Sequence, residues 1–218
     1  MLETKSPTAP LFRLARKPDP WAPPDWSRAQ PDGTFGNRFD DPRGNYRVLY
    51  ASTQRISCFV ETLARFRPDL SLLAELQEIA GEEDYAPLGV VPQDWCDTRV
   101  IGEATATGTY ADVYAANWVG YLRHSLASDS LALGLKDIDV SVLQQGKPRQ
   151  LTQLASLKVN EKGLDGIYYR SRYGHDLENW ALFEPFQLHS HATPAAIHPN
   201  DTGLRQACEL LGLSIETC

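Results

Sequence analysis

Apolar residues recur at helical spacing in several stretches of the chain. Ile56, Phe59, Val60 and Leu63 fall at i, i+3, i+4 and i+7, the stripe of a helix with one buried face. Ser52 or Thr53 can cap its start, and Pro68 stops it. Leu72, Leu73, Leu76 and Ile79 mark a second helix over 70–80, ended by Gly81 and followed by an acidic loop at 82–84. Val113, Trp118, Tyr121 and Leu122 predict a helix over 110–126. Leu151, Leu154 and Ala155 predict another, opened by Pro148 and stopped by Gly163. A last helix over 202–211 ends at Gly212. Residues 47–51, 99–105, 166–169, 180–183 and 186–189 read as short strands, with an irregularity at Gly102. Ile138, Val140 and Val142 alternate with Asp139 and Ser141, the pattern of a half-buried strand. Long Val/Ile-rich strands and a glycine-rich phosphate loop, the marks of a doubly wound parallel sheet, do not occur. The expectation is a mixed α+β fold with a split or bent sheet.

Composition adds two boundaries. Residues 1–35 hold seven of the fifteen prolines together with Trp21 and Trp26, so they read as an extended arm laid over the domain or a partner, with the first ten residues loose. Residues 36–218 are expected to form one domain. The formal charge is 21 − 28 = −7, which argues against a general grip on nucleic acid but allows a local basic pocket. No run is long enough for a membrane span, and 11–16 is too short and too basic for a signal peptide. Cys58, Cys96, Cys208 and Cys218 show no paired spacing, so free thiols in a reducing cytoplasm are expected.

The candidate chemistry concentrates between Gly36 and Arg67. Arg38 sits in a loop behind Gly36 and Asn37, Tyr50 closes a strand, and Glu61 lies at the border of the apolar stripe of the helix that follows. Consecutive elements tend to lie side by side, so the three can converge on one cleft. Each also has an ordinary structural explanation. Glu61 can pair with Arg65 one turn on, Tyr50 can simply pack on a sheet, and Arg38 can pair with Asp40 or Asp41. Taken singly, none is decisive.

Together they resemble the RES domain family, named for its arginine, glutamate and serine. The family's arginine loop, its strand ending Leu-Tyr-Ala-Ser and its helix glutamate match Arg38, Tyr50 and Glu61. Its later Gly-Ile-x-Tyr-x-Ser segment matches Gly166-Ile167-Tyr168-Tyr169-Arg170-Ser171, with Trp180-Ala181-Leu182-Phe183-Glu184 behind it. The resemblance spans roughly residues 35–190 and implies an ADP-ribosyltransferase-like fold whose two small sheets grip NAD. It implies an enzyme that cleaves the nicotinamide–ribose bond of NAD by hydrolysis or phosphorolysis, often the toxin of a toxin–antitoxin pair, blocked by a helix-turn-helix antitoxin. In that reading NAD is a substrate and no prosthetic group is needed. Glu61 faces the positive charge developing on the ribose, Arg38 clamps the pyrophosphate, Tyr50 stacks on nicotinamide or ribose, and Ser171 hydrogen-bonds the substrate. Arg47, Tyr46 and Arg172 are further candidates for phosphate contact. Transfer of ADP-ribose to a protein, or a non-catalytic binding module, are the alternatives, and a homo-oligomer stays open.

A metal site at His189 and His191, with His198 near, lacks a third ligand at useful spacing. Cys96 and Cys208 have no base predictably beside them.

Overall fold

The computed structural model describes residues 1–68, 70–71, 89–191 and 193–216. The helix expected over 70–80, apart from Leu70 and Ser71, and the acidic loop at 82–84 lie outside them. The described strands are β1 (Thr4–Lys5), β2 (Leu11–Arg16), β3 (Val48–Ser52), β4 (Val90–Val91), β5 (Arg99–Ala106), β6 (Tyr110–Asp112), β7 (Gly166–Ser171), β8 (Gly174–Phe183), β9 (Leu188–Ser190), β10 (Ala195–Ala196) and β11 (Ser214–Ile215). The helices, beside short 3₁₀ turns, are α1 (Arg55–Leu63), α2 (Gln93–Asp97), α3 (Ala116–Ser125), α4 (Ala127–Ala132), α5 (Val140–Gln145), α6 (Arg149–Asn160) and α7 (Thr202–Leu211).

The class is mixed α+β, as the pattern predicts. The main sheet runs β1-β6-β7-β8-β3-β2-β5-β10, with β9 also paired to β5, and β11 and β4 form a separate parallel ladder. In the main sheet β6 and β7 run parallel and the other pairs antiparallel.

Register shows how the sheet is clothed. Phe12 pairs with Ser52, Ser52 with Asn179, and Asn179 with Tyr169, so these four side chains share one face. Leu14, Tyr50, Ala181 and Ile167 lie on it too, two residues along their strands. That face carries two apolar cores side by side. One holds Trp118, Leu122, Leu143, Leu151 and Ala155 of α3, α5 and α6 against Ile167, Tyr169 and Phe183. The other holds Phe59, Val60, Leu63, Leu204 and Ala207 of α1 and α7 against Ile101, Phe12 and Leu14. The opposite face buries Leu11, Leu49, Tyr168, Trp180 and Leu182, with Trp21 packed on them. A cleft between two helical layers on one sheet face is where a ligand can enter.

Five expectations need correction. Residues 1–35 are more than an arm: β2 is an inner strand between β3 and β5, and β1 pairs with β6 through Thr4 and Lys5. The proline-free window from Leu11 to Lys17 allows this strand. Beyond it the chain crosses the opposite face, and Gly102 is the reason it fits. A Cβ there would meet Pro20 Cγ at 2.5 Å and Trp21 Nε1 at 2.7 Å. The residue marks a close approach and not a break, since the β2–β5 pairing continues through it.

Residues 138–142 are not a strand. Asp139 caps α5 by accepting from Val142 N at 2.8 Å, and Gly146 closes it at φ 64°. Alternation over five residues fits both patterns, and the two caps decide it. The helix expected from 110 begins only at Ala116, because 110–112 form β6. The start of α1 is not capped by Ser52 or Thr53. Ser52 donates to Asn179, and Thr53 Oγ1 accepts from Trp180 Nε1 at 2.8 Å.

Candidate functional site

The cleft holds a cavity of about 450 Å³ lined by Arg38, Tyr50, Glu61 and Tyr169, with Arg65, Arg149 and Arg172 around it. A smaller one of about 100 Å³ adjoins it, sharing Tyr50, Glu61, Thr62 and Tyr169 and reaching Ser52 and Asn179. Three of the four residues singled out in the sequence therefore meet in one place.

Arg38 is carried by the loop before β3 and held by the other side of the cleft. Its Nη2 donates to Tyr114 Oη at 2.9 Å, to Gln144 O at 2.7 Å and to Leu143 O. The carbonyls belong to the C-terminal end of α5, where a helix favours a cation. The guanidinium also lies over the rings of Phe39 (5.1 Å) and Tyr169 (5.2 Å). Its Nε is buried and has no partner among the described residues. Neither Asp40 nor Asp41 pairs with it. Asp40 instead accepts from Asn37 N at 2.7 Å and from Tyr50 Oη at 2.8 Å.

Tyr50 is pinned by that carboxylate and by Phe39 N, which donates to its hydroxyl at 2.8 Å. Burial, with the Asp40 charge beside it, pushes the phenol well above its ordinary value, so the hydroxyl keeps its proton. Both hydroxyl functions are thus engaged within the protein, and what Tyr50 offers the cavity is its ring. Burial likewise raises the Asp40 carboxyl, against the hydrogen bonds from Asn37 and Tyr50.

Glu61 is exposed, on the cleft side of α1. The pair with Arg65 does not form among the described residues. Its carboxylate Oε1 accepts from Asn179 Nδ2 at 3.2 Å. Asn179 is 1% exposed, and its Oδ1 accepts from Ser52 Oγ at 2.5 Å and Ser57 Oγ at 2.9 Å.

Ser171 departs from expectation. It is 1% exposed and lines neither cavity. Its Oγ accepts from Tyr173 N at 3.1 Å, and its carbonyl accepts from Gln144 Nε2 at 3.1 Å. The serine fixes the β7–β8 turn that presents Arg172 and Tyr173 to the cavity. Arg47 and Tyr46 point elsewhere: Arg47 pairs with Glu184 and lies over Trp26, and Tyr46 Oη bonds Ser156 Oγ at 3.0 Å.

Charge separates this cleft from the rest of a chain of net −7. Four arginines surround one carboxylate, and Arg65, Arg149 and Arg172 form no ion pair among the described residues. Arg149 opens α6, whose first turn holds no acidic residue, so the positive end of that helix adds to the field. Anionic ligands are favoured here. Of this shell the sequence reading included Arg172 but missed Arg65, Arg149 and Asn179. A basic residue directly after Pro148 was the available signal for Arg149.

Elsewhere, His189 and His191 stack edge to face at 5.3 Å. Among the described residues no group of three or more His, Cys, Asp or Glu is arranged to hold a metal. Cys58, Cys96 and Cys208 are buried and free, and burial pushes the thiols of Cys58 and Cys208 up to about 11. No described helix is long and apolar enough to cross a membrane.

No curated protein sequence matches the chain. In structure it is similar to a chain of the M. tuberculosis MbcT–MbcA toxin–antitoxin complex, with a TM-score of 0.53 and 13% identity, covering 95% of this chain and 91% of that one. At that identity the likeness speaks for the fold. The model of the RES domain matches residues 10–200, a stretch that takes in the inner strand β2 and every residue of the cleft, and the chain belongs to that family.

Proposed function

We propose that this chain is a toxin-type RES protein that consumes NAD by cleaving its nicotinamide–ribose bond. The observation that carries the reading is the charge pattern of the cleft: one carboxylate, Glu61, facing a 450 Å³ cavity whose other charges are arginines. NAD presents that pattern in reverse. Its diphosphate is anionic, and the ribose carbon gains positive charge as nicotinamide departs. Nicotinamide leaves as a neutral molecule and needs no proton, so the reaction calls for a fixed anion near the sugar and cations at the diphosphate.

Glu61 supplies the anion. Arg149, Arg172 and Arg65 supply the cations, while Arg38, with its Nη2 engaged by three acceptors, shapes the wall and adds charge. Tyr50 offers a ring whose hydroxyl cannot swing, which suits stacking and exclusion of water. Ser171 acts through the turn that it holds. Water, phosphate or a protein side chain can each attack the same activated ribose.

The fold similarity to a chain of a toxin–antitoxin complex supports a protein partner. Purified protein incubated with NAD, with and without phosphate, is expected to release nicotinamide. Release only with phosphate identifies phosphorolysis. Labelling of a protein in place of free ADP-ribose identifies the transferase. No loss of NAD under any of these conditions overturns the reading.

A further inference from the structure

Glu61 lies on the wet side of its helix with no arginine holding it, so something else must fix its direction. The only hydrogen bond drawn to its carboxylate among the described residues comes from Asn179 Nδ2, 3.2 Å from Oε1. We propose that Asn179 is a positioning residue, a buried amide clamped by two serine hydroxyls that aims the Glu61 carboxylate into the cleft. The proposal rests on the reading of Glu61 given above.

Three features carry it. The first is the sheet register, which sets Asn179 of β8 between Ser52 of β3 and Tyr169 of β7 in one cross-strand row. The amide therefore rises from the floor of the cleft beneath α1. The second is helical spacing: Ser57 and Glu61 are one turn apart on α1, so both reach the same amide. The third is the inventory of donors and acceptors. A carboxylate can only accept and an NH₂ can only donate, whereas a hydroxyl can do either. With Nδ2 toward Glu61 and Oδ1 toward Ser52 and Ser57, all three contacts are satisfied. Turning the amide over would set Oδ1 against the carboxylate. The carboxylate thus sets which way the amide faces and the two serines hold it there, in a network buried enough to stay fixed: Ser57 is 0%, Asn179 1% and Ser52 3% exposed.

Without the amide, Glu61 is free to swing along α1 toward Arg65, away from the cavity. A misplacement of about 1 Å costs on the order of 10²-fold in rate, so N179A is expected to lower kcat for NAD ten- to hundredfold with KM within about twofold. N179D tests the same point in a protein that keeps both serine bonds. The introduced carboxylate repels Glu61 near neutral pH. At acid pH a single proton held between the two restores a donor to Glu61 and the native charge. N179D should therefore fall at least as far as N179A at pH 7 and regain activity toward pH 5, where the native protein gains none.

Because Asn179 acts through Glu61, N179A made on an E61Q background should add little further loss. A full multiplicative loss in the double variant, or an N179D protein with native kcat and pH profile, overturns the proposal. A readout free of substrate separates it from the proposed function. In nitrogen-15 spectra the Asn179 side-chain amide should shift between native and E61Q proteins. If NAD is not cleaved but this signal moves, the functional reading falls and the clamp stands. If the signal does not respond to E61Q, the clamp falls whatever the enzyme does.

Discussion

The two sides of the cleft hold their charged residues in opposite ways. Arg38 is tied to the α3/α5/α6 side by three acceptors and two aromatic rings, with most of its guanidinium turned into the protein. Glu61, on the α1/α7 side, is exposed and drawn into place by one amide. The arginine is therefore both architecture and electrostatics, whereas the glutamate contributes little to folding and is free to serve chemistry. A residue that stability does not require, yet which a buried network aims, is a strong candidate for a function.

The largest expected difference follows. Glu61→Gln keeps an oxygen that can accept from Asn179, so the melting temperature should stay within about 2 °C. The loss of charge should lower kcat for NAD on the order of 10²–10³, as removal of other electrostatic stabilisers does. A fully active E61Q protein would detach the carboxylate from the chemistry.

Arg38→Ala should do the reverse. It leaves the carbonyls of Leu143 and Gln144 and the Tyr114 hydroxyl without their donor, at a cost of about 2–3 kcal/mol, since hydrogen bonds to charged groups are worth about 1.5–3 kcal/mol. Denaturant unfolding measures this directly. Gly146→Ala probes the same strut more gently. Gly146 sits at φ 64°, and a Cβ there would come within 3.2 Å of Arg38 Nε, so a loss of about 1–2 kcal/mol is expected. An R38A protein as stable as the native one would erase the contrast between the two sides.

How much of this could be read from residues alone varies with the range of the interaction. The boundaries of α7 were readable because its stripe and its Gly212 terminator are local, as was the body of α1. The strand at 48–52 was readable too, but its place between β8 and β2 was not, since that depends on a strand from beyond Pro10 that pairs at long range. Residues 138–142 misled because five alternating residues suit a strand until the side chain of Asp139 is seen to cap. In the site, Arg38, Tyr50 and Glu61 stood out through motif order. Asn179 did not, because the expected strand began one residue later, at 180. Its parity with Ala181, which faces Tyr50 across the sheet, would have placed it on the cleft floor. Ser171 stood out for the same motif reason as Glu61, yet its oxygen faces its own turn, a matter of side-chain direction that spacing does not encode.

A smaller difference concerns how the α1/α7 side responds to acid. Asp201 caps α7 by accepting from Gly203 N (3.0 Å) and Leu204 N (3.2 Å), and it pairs with Arg55 of α1. Burial alone would raise its carboxyl, but the Arg55 bond and charge with the two backbone donors outweigh this and hold it below the ordinary range. A carboxyl depressed on folding stabilises above its unfolded value, near 3.9, and loses that contribution as pH falls through its folded value. Asp40, raised by burial, has the opposite sign: its contribution declines as pH rises from the unfolded value through the folded one. D201N should therefore flatten the acid limb of stability against pH, whereas a limb unchanged from the native protein would show that the α1–α7 link does not titrate. At neutral pH Asn still caps α7, so the cost is that of the lost Arg55 pair, up to about 1 kcal/mol.

The smallest expected effect discriminates the cationic rim from the wall. Arg149 and Arg172 are exposed, so each contributes a screened attraction, and R149M or R172M should raise KM for NAD only a few-fold. The size matters less than its dependence on substrate. Nicotinamide riboside carries the same scissile bond and a pyridinium charge but no phosphate, so where it is cleaved its KM should not rise with either substitution. Raising the ionic strength should likewise weaken NAD more than the riboside. Glu61→Gln, by contrast, should slow both substrates by the same factor, because both pass through the same charge on the sugar. Equal KM losses for the two substrates in R149M would mean that the rim shapes the cavity without reading phosphate, and the division of labour between the two sides would have to be redrawn.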